Sequence, residues 1–250
     1  MARNILLINP NVTEAITNLM AVEARLSARE GTEIHAATAA FGAQYIENRG
    51  EAAIAGHAVL DVLAEKPDGY DAAIVAAFGD PGLFAAKEMM GFPVVGISEA
   101  AFLTAHALGR RYAIVCLTQR LGVWYRECAE GYSLAGRLVG VHPLAVPPGD
   151  ITNARAETGR LMVALCHKAV AQDGAEVVIM GGGPIAGLAR EVSHEIPVPV
   201  LDGVSCAVRL AETLIDLAPG KATMGSFARP AGKPTKGLSP ALADYIERRE

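Results

Sequence analysis

The chain is 250 residues long, enough for one large domain or two small ones and for a substantial buried core. Its apolar fraction of 51% and aromatic fraction of 5% exclude a disordered chain and suit an Ala/Val/Ile/Leu-rich α/β protein. A net charge of −5, no basic run longer than Arg110-Arg111 and no uncharged apolar stretch of roughly 18 residues argue against nucleic acid or membrane as partners.

From the N-terminus, Ile5–Ile8 reads as a buried strand running into Asn9-Pro10-Asn11. The run is too short for a secretory signal core, so a cytoplasmic location is expected. A helix is expected over Thr13–Ser27, with Ile16, Leu19, Met20 and Ala24 on one face and Thr13 as its cap. Glu33–Thr38 reads as a strand, Glu51–Lys66 as a helix stopped by Pro67, and Ala73–Ala77 as a strand. Leu83–Met90 reads as a helix, Val94–Ile97 as a strand and Glu99–Leu108 as a helix.

The alternation then starts again. Strands are expected at Ala113–Leu117, Val139–Leu144, Val177–Met180 and Val198–Leu201. Helices are expected at Val123–Leu134, Ala156–Asp173, Ala186–Ser193 and Val204–Leu217. Gly225–Pro240, rich in Gly, Pro and basic residues, reads as a surface loop, and Pro240–Arg248 as a terminal helix. Apolar runs bounded by Gly, Pro or Asp and alternating with helices predict parallel sheets covered on both faces.

The second half answers to the first. NILLINPN from Asn4 matches YAIVCLTQ from Tyr112, AAIVAAFGDPGL from Ala72 matches VVIMGGGPIAGL from Val177, and GFPVVGISEA from Gly91 matches VPVLDGVSCA from Val198. The register is nearly constant, about 105 to 108 residues. The fold class is therefore α/β, with two pseudo-symmetric parallel-sheet half-domains and a site in the cleft between them. The halves are expected at 1–110 and 111–222, with the last helix of the first half free to cross over. Residues 223–250 would pack back on the body.

Ligands in open α/β sheets bind beyond the carboxyl ends of the strands. Here those ends are Asn9-Pro10-Asn11, Phe78-Gly79-Asp80-Pro81-Gly82, Cys116-Leu117-Thr118 and Gly181-Gly182-Gly183-Pro184. Glycine lets a ligand approach backbone N–H groups, and the following helix start favours a carboxylate or imide oxygen. No dinucleotide or phosphate-loop fingerprint occurs, and the six histidines are scattered, so no cofactor and no metal are expected. Cys116, Cys128, Cys166 and Cys206 lack CxxC spacing and read as reduced thiols. Ser98 lies in no nucleophile-elbow motif and reads as a helix cap.

INPN at Ile8–Asn11, FGDPGL at Phe78–Leu83, PVVGISEAA at Pro93–Ala101 and PVLDGV at Pro199–Val204 together resemble the hydantoin/allantoin racemase branch of the aspartate/glutamate racemase superfamily. The resemblance runs from Ile5 to about Glu212. It implies aspartate/glutamate racemase-like half-domains, a cofactor-independent enzyme, a small-molecule substrate and a homo-oligomer. It also implies two cysteines, one per half, facing the substrate's stereocentre from opposite sides. At those positions this chain has Ala77 and Gly182, and neither residue can move a proton.

The candidates for catalysis are therefore Cys116, Asp80 and Tyr45. Cys116 ends a core strand beside a helix start, which would lower a thiol's pKa. Asp80 could be a base or a helix cap. Tyr45 replaces a small residue of a Ser-Ile-Glu-Gly motif that the resemblance places at QYIENRG, which includes Glu47. The substrate-binding candidates are Asn11, Ile46, Ala77, Phe78, Gly79, Leu117, Thr118, Gly182, Gly183 and Pro184. The expected activity is isomerase-like chemistry at a carbon next to a carbonyl, in a hydantoin-, ureide-, amino-acid- or carboxylate-like molecule. With both thiols replaced, it would proceed by a route other than two-thiol racemisation. A lyase, decarboxylase or ring-opening hydrolase on the same scaffold and an inactive ligand-binding paralogue remain open alternatives.

Overall fold

The computed structural model describes residues 3–66, 68–145 and 155–248. The first half contains β1 (Arg3–Asn9), α1 (Glu14–Ser27), β2 (Thr32–Thr38), α2 (Arg49–Glu65), β3 (Ala72–Val75), α3 (Leu83–Met89), β4 (Val94–Gly96) and α4 (Ile97–Leu108). The second contains β5 (Tyr112–Cys116), α5 (Gln119–Gly131), β6 (Leu138–Pro143), α6 (Arg155–Asp173), β7 (Val177–Gly181), α7 (Leu188–Val192), β8 (Val200–Asp202) and α8 (Gly203–Leu217). A last helix, α9, spans Pro240–Glu247.

Each half is a four-stranded sheet, ordered β2-β1-β3-β4 in the first and β6-β5-β7-β8 in the second, with every pair parallel. The central strands are apolar without alternation because helices cover both faces. Ile5, Leu6, Leu7 and Ile8 are all buried, as is every residue of β5 and β7. Among the described residues, no helix is long and apolar enough to cross a membrane.

The closing helices are exchanged between the halves. Helix α4 follows β4 yet packs against β7 and β8, while α8 follows β8 yet packs against β3, β4 and β1. The two helices also pack on each other. Their first turns meet at Gly203, where an added β-carbon would stand 2.8 Å from the Ile97 carbonyl oxygen. Polar contacts from α1 and the start of β2 to the second half reinforce the join. Buried Glu23 accepts from Arg190 Nη2 at 2.6 Å, and buried Glu212 accepts from the Arg29 backbone N–H at 2.7 Å and the Thr32 hydroxyl at 2.8 Å.

The chain beyond α8 is largely irregular until α9, which packs on α2. Ser239 caps α9 by accepting from the Leu242 N–H, and its hydroxyl donates to Asp61. Tyr245 donates to the Met89 carbonyl at 2.9 Å.

Several boundaries differ from the sequence reading, each for a local reason. Strand β3 stops at Val75, because the Asp80 N–H turns back to the Ala77 carbonyl and draws Ala77 into a loop. Helix α5 begins four residues earlier than expected, because Thr118 caps it by accepting from the Leu121 N–H at 3.2 Å. Helix α4 starts at Ile97, so Ser98 sits in its first turn rather than at the cap. Its hydroxyl instead accepts from the Gly79 N–H at 2.8 Å. Pro67, the expected stop of the second helix, lies outside the described residues.

Because the Gly203 contact involves backbone that cannot move aside, Gly203→Ala should lower unfolding stability by about 1–3 kcal/mol. Gly136→Ala has open space around its β-carbon and should change stability by less than about 0.5 kcal/mol. Urea denaturation of both variants checks this, and equal midpoints would contradict the role given to the helix crossing.

Candidate functional site

The carboxyl ends of the two sheets face each other across a cleft of about 620 Å³, including its open mouth. From the first half come Asn11, Tyr45, Ile46, Ala77 and Phe78; from the second come Leu117, Thr118, Gly182, Gly183 and Pro184. Ile16, Glu47, Ala76, Leu121 and Tyr125 complete the lining. An ion pair between Arg49, at the start of α2, and Glu127, on α5, links the two halves.

The loop after β1 is built around two asparagines. Fully buried Asn9 donates to Thr17 Oγ1 and to Asn11 Oδ1, each at 2.9 Å. Asn11 Oδ1 also accepts from the Thr13 N–H at 2.9 Å. Both contacts are with donors, which identifies that atom as the oxygen. The Asn11 amide nitrogen has no protein acceptor among the described residues, and the residue lines the cleft. Facing it, Thr118 uses its oxygen to cap α5 and keeps its hydroxyl hydrogen available. Tyr45 stands at the mouth and is exposed.

The glycine loop after β7 forms the opposite wall, and each glycine has a separate reason. A β-carbon at Gly181 would lie 3.0 Å from Tyr125 Cε2, so its absence makes room for the phenol ring. Gly182 has φ 136°, a conformation that residues with a β-carbon rarely adopt. Gly183 packs on Met20 and Ile16 of α1 and so on the other half.

Tyr125, which the sequence reading missed, is 2% exposed and its ring contacts Phe78 at 4.5 Å between centroids. Its hydroxyl has no protein partner among the described residues. Burial raises its pKa well above the ordinary tyrosine value. The only available signal was its position two turns into α5 beneath Thr118, in a helix whose start the sequence reading placed four residues too late.

Three candidates lie elsewhere. Asp80 is buried at the start of α4, where it accepts from the Ser98 N–H at 3.0 Å, the Glu99 N–H at 2.7 Å and the Tyr132 hydroxyl at 2.8 Å. It is outside the cleft lining and acts as a helix cap, not as a base facing substrate. Cys116 is fully buried beneath the cleft, and burial pushes its thiol up to about 12, the opposite of the expected activation. Its Sγ donates to the Thr118 carbonyl at 3.6 Å. Gly79 lies under the Trp124 ring, where a β-carbon would come within 2.7 Å of it.

What the cleft offers is a set of hydrogen-bond donors, supplied by both halves, that lack protein acceptors among the described residues. Among the described lining residues there is no lysine, arginine, histidine or cysteine, and the only carboxylate is Glu47. The starts of α1 and α5 add partial positive charge. Such a site suits carbonyl oxygens of a small neutral or weakly anionic molecule.

A family model described as Asp/Glu/Hydantoin racemase matches residues 5–211. A hydantoin racemase from Pseudomonas sp. (strain NS671) is 31% identical over 90% of this chain and 91% of its own length. A hydantoin racemase from Paenarthrobacter aurescens is 32% identical over 92% of this chain and 98% of its own. Among solved structures, an allantoin racemase from Klebsiella pneumoniae is 33% identical, with a TM-score of 0.91 over 96% of this chain and 99% of that one.

Burial raises the Asp80 carboxyl from 3.8 to about 6. A folded-state pKa above the unfolded one means that the stabilisation is complete below about pH 4 and is lost as pH rises through about 6. The stability of the wild type relative to Asp80→Asn should therefore fall by roughly 2 kcal/mol between pH 4 and pH 6. Urea titrations across that range measure it, and a constant difference would rule out Asp80 as the titrating group.

Proposed function

The chain belongs to the Asp/Glu/hydantoin racemase family, and from that premise we propose that it is a cofactor-independent enzyme acting at a carbon next to a carbonyl in a small hydantoin-, ureide- or carboxylate-like substrate. The observation that carries this reading is the convergence on one cleft of the Asn11 amide and the Thr118 and Tyr125 hydroxyls, none with a protein acceptor among the described residues. An α-proton next to a carbonyl is weakly acidic, so its removal leaves charge on the carbonyl oxygen. Donors already aimed at that oxygen stabilise the enolate without reorganising.

Ala77 and Gly182 line the cleft at the two positions where the resemblance puts thiols. Proton transfer by a pair of cysteines is therefore not the route. Decarboxylation, ring opening and C–N or C–C cleavage pass through the same enolate-like species and use the same donors. The lack of a transferable proton at residues 77 and 182 also favours a second reading, a binding protein that keeps the cleft without the chemistry.

Proton NMR in D2O separates these readings, with allantoin, 5-benzylhydantoin and a phenylmalonate as probes. Loss of the C5 proton signal supports enolisation, and loss of a carboxylate supports decarboxylation. Binding with neither supports the binding protein, and no binding of any probe sinks the proposal.

The backbone at the two thiol positions makes a separate prediction. Ala77 already carries a β-carbon, so Ala77→Cys should keep wild-type stability. Gly182→Cys should lose about 1–3 kcal/mol, because φ 136° strains any residue with a β-carbon. Denaturant midpoints compare the two, and an unstrained Gly182→Cys would show that the loop readily accepts a thiol.

A further inference from the structure

We propose that Tyr125 is a catalytic residue of this cleft, whose phenolic O–H donates a hydrogen bond to the substrate's carbonyl oxygen and stabilises that oxygen as it becomes an enolate. The inference rests on the proposed carbonyl chemistry and names the group in the second half that serves it. Tyr125 projects from the second turn of α5, and its ring is held between Phe78 of the first half and the Gly181 backbone of the second. That clamp fixes the hydroxyl with little loss of side-chain freedom on binding.

The oxygen stands 3.8 Å from the place a β-carbon would occupy on residue 182. It therefore lies on the cleft face where the resemblance puts the second thiol, but it presents a phenol. A tyrosine that is 2% exposed ordinarily satisfies its hydroxyl with a protein partner. Here none is present among the described residues, and the hydroxyl borders the cleft. Burial holds the phenol protonated, so it works as a donor and not as a base. The proton stays on Tyr125 throughout; the α-proton leaves to the Glu47 carboxylate, the one carboxylate among the described lining residues.

Tyr125→Phe tests this, because it keeps the ring and removes only the oxygen. The thermal midpoint should be unchanged or higher, since no protein hydrogen bond is lost. The Kd of whichever probe the wild type binds, allantoin or 5-benzylhydantoin, should weaken about tenfold by calorimetry. The rate of C5 deuterium exchange should fall by about 100-fold to 1,000-fold. A variant that binds and exchanges like the wild type overturns the proposal and leaves the enzyme reading standing. A midpoint lowered by several degrees with binding intact overturns it too, by showing a structural role. A wild type that binds with neither exchange nor decarboxylation overturns the enzyme reading and the catalytic role together, while the Kd ratio still decides whether the hydrogen bond exists. A wild type that binds none of allantoin, 5-benzylhydantoin and phenylmalonate overturns both proposals.

Discussion

The cleft exists because two helices change sides. Helices α4 and α8 each close the sheet of the other half, and they approach closely enough to do so only because residue 203 has no side chain against the Ile97 carbonyl. The exchange makes the two sheets one object. Neither half could open without stripping an apolar helix face from the sheet of its partner, so the carboxyl ends of both sheets are held at a fixed separation. A site built from donors on opposite walls needs that rigidity, because a shift of about 1 Å already spoils a hydrogen bond to a transition state.

The pseudo-symmetry holds for the backbone and relaxes for the chemistry. Asp202 ends β8 and caps the helix that follows it, accepting from the Val204 N–H at 2.8 Å and the Ser205 N–H at 3.2 Å. The matching strand end in the first half is Gly96, and the carboxylate that caps α4 arrives instead from Asp80 on the loop after β3. A β-carbon at residue 96 would fall 2.2 Å from the Asp80 carboxyl carbon, so the glycine and the displaced aspartate are one adjustment. The consequence is functional. The first-half loop is tied down from below by Asp80, Ser98 and Tyr132, which leaves Ala77 and Phe78 facing the cleft.

The strands, the repeat and the cleft between the halves were legible in the sequence, because buried parallel strands and Gly-rich loop ends are local patterns. Asn11, Thr118 and the glycine loop could be placed by the same logic. The sequence leaves Asp80 open between base and helix cap and offers Cys116 as a reacting group, because their roles depend on which side of a loop they face. Asp80 adopts φ 46° and turns away from the cleft, and Cys116 is fully buried beneath it. Tyr125 escaped notice because its importance comes from packing alone. Nothing in WYRE distinguishes a phenol clamped between Phe78 and Gly181 from an ordinary core aromatic.

The three consecutive glycines then have a reading different from a simple turn. Gly181 admits the Tyr125 ring, Gly182 takes a backbone conformation that disfavours a β-carbon, and Gly183 lets α1 of the other half come close. Replacing the central one by a thiol would work against the conformation that its neighbours need. The second wall of the cleft is thus organised around a phenol and backbone, while the first wall, with an ordinary β-carbon at Ala77, is not. The asymmetry lies in the walls themselves: the second presents a clamped phenol and bare backbone where the first presents the Ala77 methyl group.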